Sequence, residues 1–94
     1  MYNIKYEAKV ENDLKKIDQS LRIQIFKKIE KISINPEIWD NLTWNLVWYK
    51  KVYVNNKKIR IVYKIIDDKI EILIIVIGKR ENEKVYKDAF KRIK

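Results

Sequence analysis

The sequence predicts an α+β domain in which one small, mostly antiparallel sheet carries a pair of helices on one face. Residues 10–32 space their apolar side chains at helical intervals, whereas residues 46–77 hold three strand-like segments separated by polar turns. The final residues, from Val85 to Ile93, return to helical spacing. The predicted order is therefore β-α-α-β-β-β-α, within a single domain that spans residues 1–94.

The N-terminal third supplies the first strand and the helical pair. Residues 2–6 alternate apolar and polar side chains, which is typical of a short strand, and residues 10–17 then form one helical stripe. Asp18 or Ser20 can cap the second helix. That helix must end before Pro36, because proline disfavours the α conformation in the residue that precedes it.

A loop and three strands follow the helices. Residues 36–45 are predicted to be a connecting loop, with two tryptophans that either pack beneath it or stack on bases. The strands are expected at residues 46–54, 59–66 and 70–77, joined by the turns "NNKK" and "DDK". The last strand is apolar on both faces apart from Glu71, which indicates a place inside the sheet.

Composition narrows the class of partner and the available chemistry. A net charge of +9 favours a polyanionic partner, although the excess of lysine over arginine makes single lysines weak evidence. The absence of histidine removes the usual general base at neutral pH, and the absence of cysteine removes thiolate metal sites. We predict no metal and no cofactor. No apolar segment is long enough for a membrane span, and the N-terminal residues show no apolar run typical of a signal peptide, so we expect a cytoplasmic domain with no membrane partner.

Strand alternation assigns the side chains of the first two C-terminal strands to two faces. Val52 and Val54 mark the apolar face, which we expect to meet the helices. The opposite, open face is basic and aromatic, which suits a nucleic-acid backbone and stacked bases. Its expected members are Lys51, Tyr53, Arg60 and Lys64.

The only glycine, Gly78, separates the apolar strand from a charged segment. Glycine permits backbone angles or a close approach that a side chain would forbid. We expect the chain to turn out of the sheet there and to place Arg80 at the sheet edge, at the surface like Arg60. The simpler alternative is a glycine that ends a strand, followed by an arginine in solvent.

Several motifs resemble those of the RelE/ParE superfamily of toxins from bacterial and archaeal type II toxin–antitoxin systems, in its RelE-like branch. R-x-V-Y runs from Arg60 to Tyr63, I-G-K-R ends at Arg80, and V-Y ends at Tyr86, before a closing K-R-I. The likeness is strongest over residues 59–94 and extends loosely over the whole chain. It implies a ribosome-dependent endoribonuclease that cuts mRNA in the A site, where a 2′-OH attacks the adjacent phosphate.

The resemblance also implies residue roles. Arg60 matches the arginine that holds the scissile phosphate, Arg80 the arginine near the leaving oxygen, and Tyr86 the tyrosine that orients and stacks the nucleotides. Two family lysines spaced Lys-x-Lys, one a general base, align without a gap to Lys51 and Tyr53; an insertion in the turn would instead align Lys50 and Val52. The face assignment favours Lys51 as the catalytic lysine. Further RNA contacts are expected from Lys50, Tyr53, Lys57, Lys58, Lys64 and Lys79.

The implied partners are an acidic antitoxin, the ribosome and mRNA, with a monomeric toxin that forms a hetero-oligomer with its antitoxin. One alternative is a ParE-type toxin that inhibits DNA gyrase without cutting RNA. Such a protein would not need Arg60, Arg80 and Tyr86 together. A further alternative is an inactive relative that only binds RNA.

Overall fold

Two helices and five strands make up the part of the chain that the computed structural model describes, which is residues 1–41, 49–56, 58–79, 91 and 92. The strands form one sheet in which the first and last pair in parallel and all other neighbours pair antiparallel. The predicted α+β class is thereby confirmed. In chain order the elements are β1 (Asn3–Tyr6), α1 (Val10–Lys15), α2 (Gln19–Ile34), β2 (Asp40–Asn41), β3 (Tyr49–Val54), β4 (Ile59–Ile66) and β5 (Glu71–Lys79), and the sheet order is β1-β5-β4-β3-β2.

The boundaries of α2 follow from its capping residues. Asp18 is the N-cap: its Oδ1 accepts a hydrogen bond from the Leu21 amide at 2.9 Å, and this bond lowers the pKa of the Asp18 carboxyl. Ser20 is not the cap but donates its hydroxyl to the same oxygen. The helix ends at Ile34 with Asn35 as its C-cap, and Pro36 then begins a short 3-10 turn, as the proline predicted.

The hydrophobic core lies between the helices and one face of the sheet, which we call the helix face. Its largest fully buried side chain is Tyr63, whose hydroxyl donates a 2.6 Å hydrogen bond to the Pro36 carbonyl. This bond fastens the start of the loop after α2 to the centre of β4. The helices contribute Val10, Ile25, Ile29 and Ile32, the connection between them contributes Ile17, and the strands contribute Val52, Val54, Ile59, Ile61, Tyr63, Ile72, Ile74 and Ile77.

A β-bulge interrupts β5 at Ile75. Tyr63 pairs with Ile74 and Val62 with Val76, so Ile75 is the extra residue on β5. One extra residue reverses the alternation of every side chain that follows it. As a result, Ile74 and Ile77 both lie on the helix face although they are three positions apart.

Two predicted segments differ from the structure. The expected loop at residues 36–45 begins with the 3-10 turn Pro36–Ile38 and contains β2, because the edge of β3 can pair with an extended segment there. The last strand begins at Glu71 rather than Ile70, because Ile70 has a left-handed backbone with φ 52°.

Other expectations concern segments that the structure describes only in part. Trp39 packs against the core with the Lys28 ammonium 4.9 Å from its ring centre, which agrees with a packing role; Trp44 lies outside the described residues. Residues 91 and 92 are helical. The rest of the predicted C-terminal helix, like Trp44, lies outside the described residues. No helix in the described part of the chain is long and apolar enough to span a membrane.

Candidate nucleic-acid interface

The face of the sheet opposite the helices, which we call the groove face, gathers the basic and aromatic residues that the sequence predicts. Side chains of residues paired across two strands lie on the same face. Three such pairs occupy the groove face of β3 and β4. They are Tyr49 with Lys64, Lys51 with Val62, and Tyr53 with Arg60.

Two tyrosine rings hold three of the groove cations. The ring centre of Tyr53 lies 5.8 Å from the Lys51 ammonium and 5.1 Å from the Arg60 guanidinium carbon. Next to it, the Lys64 ammonium lies 5.5 Å from the ring centre of Tyr49. Contacts of this kind attract the cation to the electron-rich ring face, and they limit the rotamers that a long basic side chain can adopt. The groove therefore presents positioned charges rather than freely moving ones.

Arg60 is buried, with 8% of the residue exposed, which corrects the expectation that it lies at the surface. Alternation predicted its face correctly but says nothing about depth. The neighbouring strands and the Tyr53 ring enclose the side chain of Arg60. A charge with little water around it interacts more strongly with a bound anion than an exposed charge does.

Gly78 lies inside β5, directly opposite Arg60. Its φ is not positive, so the expectation that the chain turns out of the sheet at this glycine is wrong. The alternative use of glycine, a close approach, agrees with the pairing. Because the bulge places position 78 on the groove face, a side chain there would stand beside Arg60, and glycine leaves that space empty.

The middle of the groove face is apolar. Val62 and Val76 pair across β4 and β5, and both are buried, yet neither belongs to the core on the helix face. The groove face is therefore closed, not open, at Val62. The cations of the groove surround this apolar floor instead of covering it.

The ammonium of Lys50 lies on the other side of the strand from the groove. Lys50 pairs with Tyr63 of the core, and its Nζ donates to the Trp39 carbonyl at 3.2 Å and to Asn41 Oδ1 at 2.8 Å. The assignment of Lys51, and not Lys50, to the groove face agrees with this register. An RNA contact from Lys50 would have to be made at the opposite face.

The other predicted RNA-binding lysines are spread more widely. Lys58 is exposed in the turn after β3, where Asn55 and Asn56 both have left-handed backbones. Lys79 is exposed but pairs with Ile59, so the register places it on the helix face at the end of the sheet. Lys57, Arg80 and Tyr86 lie outside the described residues.

One group outside the groove was not predicted. Asp13 of α1 pairs with Arg92, and both side chains contact the backbone of β5 next to the bulge. The two residues are 79 positions apart, and no motif in the sequence joins them. Among the described residues, no group of carboxylates is arranged to hold a metal ion.

Comparison with known proteins defines the class to which this fold and groove belong. A family model described as the ParE-like toxin of type II bacterial toxin–antitoxin systems matches residues 4–89. The chain belongs to this toxin family, as its motifs predicted.

Individual relatives place it near RelE. The mRNA interferase toxin RelE of Escherichia coli K12 is 29% identical over 92 residues, which cover 98% of this chain and 97% of RelE. The free-state structure of an arginine-to-alanine double mutant of E. coli RelE has a TM-score of 0.85 at 28% identity, covering 99% of this chain and 98% of that one. The same mutant bound to a peptide of the antitoxin RelB has a TM-score of 0.77 at 26% identity, covering 94% of this chain and 93% of that one.

Proposed function

We propose that this toxin is a ribosome-dependent endoribonuclease that cuts mRNA in the A site. The observation that carries the proposal is the cluster of Lys51, Tyr53 and Arg60 on the groove face, with the bare backbone of Gly78 beside the arginine. The full-length similarity to a relative named an mRNA interferase supports the same activity. We extend the proposal to the cytoplasm as the site of action, since ribosomes and mRNA are the partners.

The proposed reaction is an internal transesterification. The 2′-oxygen of one nucleotide attacks the adjacent phosphorus, and the bond from phosphorus to the 5′-oxygen breaks. The upstream fragment then ends in a 2′,3′-cyclic phosphate and the downstream fragment begins with a 5′-OH. This reaction needs a base for the 2′-OH proton, a proton for the leaving oxygen, and positive charge around the phosphorane.

The groove residues suit these needs. Arg60 would bind the scissile phosphate through its planar set of donors, strengthened by its burial. Lys51 would act as the general base, at a position fixed by the Tyr53 ring. We propose that Arg80 stabilises charge at the leaving oxygen and that Tyr86 orients and stacks the nucleotides.

The remaining basic residues would bind the RNA backbone outside the reacting phosphate. Lys64 is held in the groove by Tyr49, and Lys58 is exposed in the turn at one end of β3. We propose that both, together with Lys57, contact phosphates and contribute salt-dependent affinity. No role in RNA binding is proposed for Lys50 or Lys79, because the register places both on the helix face.

The direct test of the activity is primer extension on cellular mRNA after brief expression of the toxin. We expect cuts phased with codons and confined to translated regions. Arg60→Ala should lower the cleavage rate by on the order of 10²-fold, because it removes charge stabilisation of the transition state. Arg60→Lys keeps the charge and serves as the matched variant; it should retain more activity than alanine but less than wild type.

We further propose that an acidic antitoxin segment neutralises the toxin in a hetero-oligomer. The toxin itself would be monomeric. The net charge of +9 favours such a partner, and a relative is known in complex with an antitoxin peptide. Binding of the antitoxin should weaken as the salt concentration rises, as measured by titration calorimetry. Equal affinity at low and high salt would refute the electrostatic part of the proposal.

A gyrase-directed toxin is the second candidate. The description of the matching family as ParE-like, and Tyr53 at a position where the RelE pattern has lysine, favour it. This candidate predicts intact mRNA together with blocked DNA replication in the same expression experiment. Phased mRNA cuts would exclude it.

A further inference from the structure

The most buried ion pair of the described chain lies away from the groove, between Asp13 and Arg92. The two side chains meet at two points, with Arg92 Nη1 2.7 Å from Asp13 Oδ2 and Nη2 2.9 Å from Oδ1. Only 8% of the arginine side chain and 11% of the aspartate side chain are exposed. A second carboxylate, Glu7, lies 3.6 Å from Arg92 Nε. A two-point contact of this kind fixes orientation as well as distance.

Both members of the pair also bind the backbone of β5. Asp13 Oδ2 accepts a hydrogen bond from the Ile77 amide at 3.0 Å, and Arg92 Nη1 donates to the Ile75 carbonyl at 2.8 Å. These contacts begin where β1 ends. The last backbone hydrogen bond from that side of β5 is donated by the Glu7 amide to the Ile74 carbonyl, at 2.8 Å. The ion pair therefore continues, with side chains, the pairing that β1 supplies to β5 up to Ile74.

One of the two bound backbone groups, the Ile75 carbonyl, belongs to the extra residue of the bulge, and the other, the Ile77 amide, follows two residues later. With the bulge, Gly78 of β5 pairs with Arg60 of β4. Without it, continuous pairing from Tyr63 and Ile74 would set Ile77 opposite Arg60, because every later residue would move by one position. A bulky isoleucine would then occupy the space that glycine leaves open. The groove thus depends on the bulge.

We propose that Asp13 and Arg92 form a register lock that maintains the bulge at Ile75 and so places Gly78 beside Arg60. In terms of the proposed RNA cleavage, on which this part of the inference rests, Asp13 and Arg92 are positioning residues. They act through the register of β5 and touch no reacting atom. The lock also joins the C-terminal end of the chain to α1, so a local change at either place reaches the groove through β5.

The register is tested without any reference to activity. Nuclear Overhauser effects between the backbones of Arg60 and Gly78 report the observed register in the purified wild-type protein. In Asp13→Ala and Arg92→Ala, we expect these signals to weaken and signals between Arg60 and Ile77 to appear. Unchanged signals between Arg60 and Gly78 in both folded variants would overturn the lock, whatever their cleavage activity.

The effect on the reaction is measured with purified toxin and ribosomes that carry a defined mRNA. Asp13→Ala should lower kcat by at least about 10- to 100-fold with little change in KM, because a one-residue shift moves the strand by about 3.3 Å and a misplacement of only about 1 Å can cost about 100-fold. Ile29→Val, a change in a core residue of α2, is the control for a general loss of stability and should leave kcat unchanged. A normal kcat in a variant with a shifted register would refute the positioning role. If wild-type toxin cuts no RNA, the proposed function fails, but the nuclear Overhauser measurement still decides whether Asp13 and Arg92 maintain the register.

A deletion variant separates the lock from other effects of the ion pair. Deletion of Ile75 removes the extra residue and would keep Gly78 opposite Arg60 by regular pairing alone. In that background Asp13→Asn should no longer alter the register or kcat, although in the wild-type background it lowers kcat. An equal loss of kcat in both backgrounds would show that Asp13 acts by another route. Asn retains the shape of the side chain, so this variant is also the choice if Asp13→Ala does not fold.

Discussion

Replacement of Gly78 by alanine should stabilise the toxin and impair it at the same time. Gly78 has strand geometry with no positive φ, so alanine fits its backbone without strain. Removing the extra freedom of glycine in the unfolded chain stabilises a protein by about 0.4–1 kcal/mol. For a domain of this size, that gain corresponds to an increase in Tm of about 2–8 °C.

The same methyl group should slow cleavage. Paired residues in an antiparallel ladder have Cβ atoms about 5 Å apart, so the new methyl would stand directly beside the Arg60 side chain. It would occupy the space through which a phosphate reaches the guanidinium. We expect the cleavage rate to fall at least about tenfold, since a small displacement of the reacting groups has a large effect on rate. Gly78→Val should slow the reaction further.

The assay combines thermal unfolding, followed by circular dichroism, with cleavage of mRNA on programmed ribosomes. Lys79→Ala serves as the control, because Lys79 follows Gly78 directly but lies on the helix face. The loss of its side chain should leave the rate close to that of wild type. Wild-type cleavage by a stabilised Gly78→Ala variant would refute the need for an open space at Arg60. A decrease in Tm would instead refute the strand geometry assigned to the glycine.

Three further predictions concern β3 and β4. Lys51→Met should remove most cleavage activity in the same ribosome assay. Lys50→Met should retain it, because Lys50 binds Trp39 and Asn41 away from the groove. The opposite result would show that the face assignment is wrong by one residue. Tyr63→Phe should lower the free energy of unfolding by about 1–3 kcal/mol in urea titrations, because the buried carbonyl that accepts its hydroxyl loses its donor. Burial raises the pKa of Tyr63, so the contribution of its neutral phenol to stability should be fully present below about pH 10 and decrease as the pH rises above that value. Unfolding titrations between pH 8 and pH 11 should show this slope in wild type, and an equal slope in Tyr63→Phe would assign it to other groups.

The elements that the sequence predicts best are those with a partly alternating pattern and a clear turn. The strand predicted at residues 59–66 agrees with β4 at both ends, because alternation there begins directly after a turn that contains two asparagines with left-handed backbones. The face of Lys51 could also be predicted, because Val52 and Val54 leave only one orientation for their neighbours.

The bulge could not be predicted from the sequence. It lies within "IEILIIVI", where every residue after the glutamate is apolar and either register buries a similar set of side chains. The position of Gly78 opposite Arg60 depends on that bulge. The sequence alone could therefore not decide whether the glycine serves a turn out of the sheet or a close approach of another group. The pair of Asp13 and Arg92 depends on tertiary structure in the same way, since residues so distant in sequence meet only once the sheet has formed.

The groove face holds few cations, and the surrounding side chains fix where each of them lies. Its floor is the buried pair Val62 and Val76, and Arg60 is itself almost fully buried beside them. In such surroundings a charge is poorly screened, so its effect on a bound phosphate exceeds that of an exposed lysine elsewhere on a chain of net charge +9. Activity should therefore depend on the position of these side chains more than on the total charge of the toxin. Position in turn depends on the tyrosine rings, which hold the cations, and on the register of β5, which leaves an open space at Gly78.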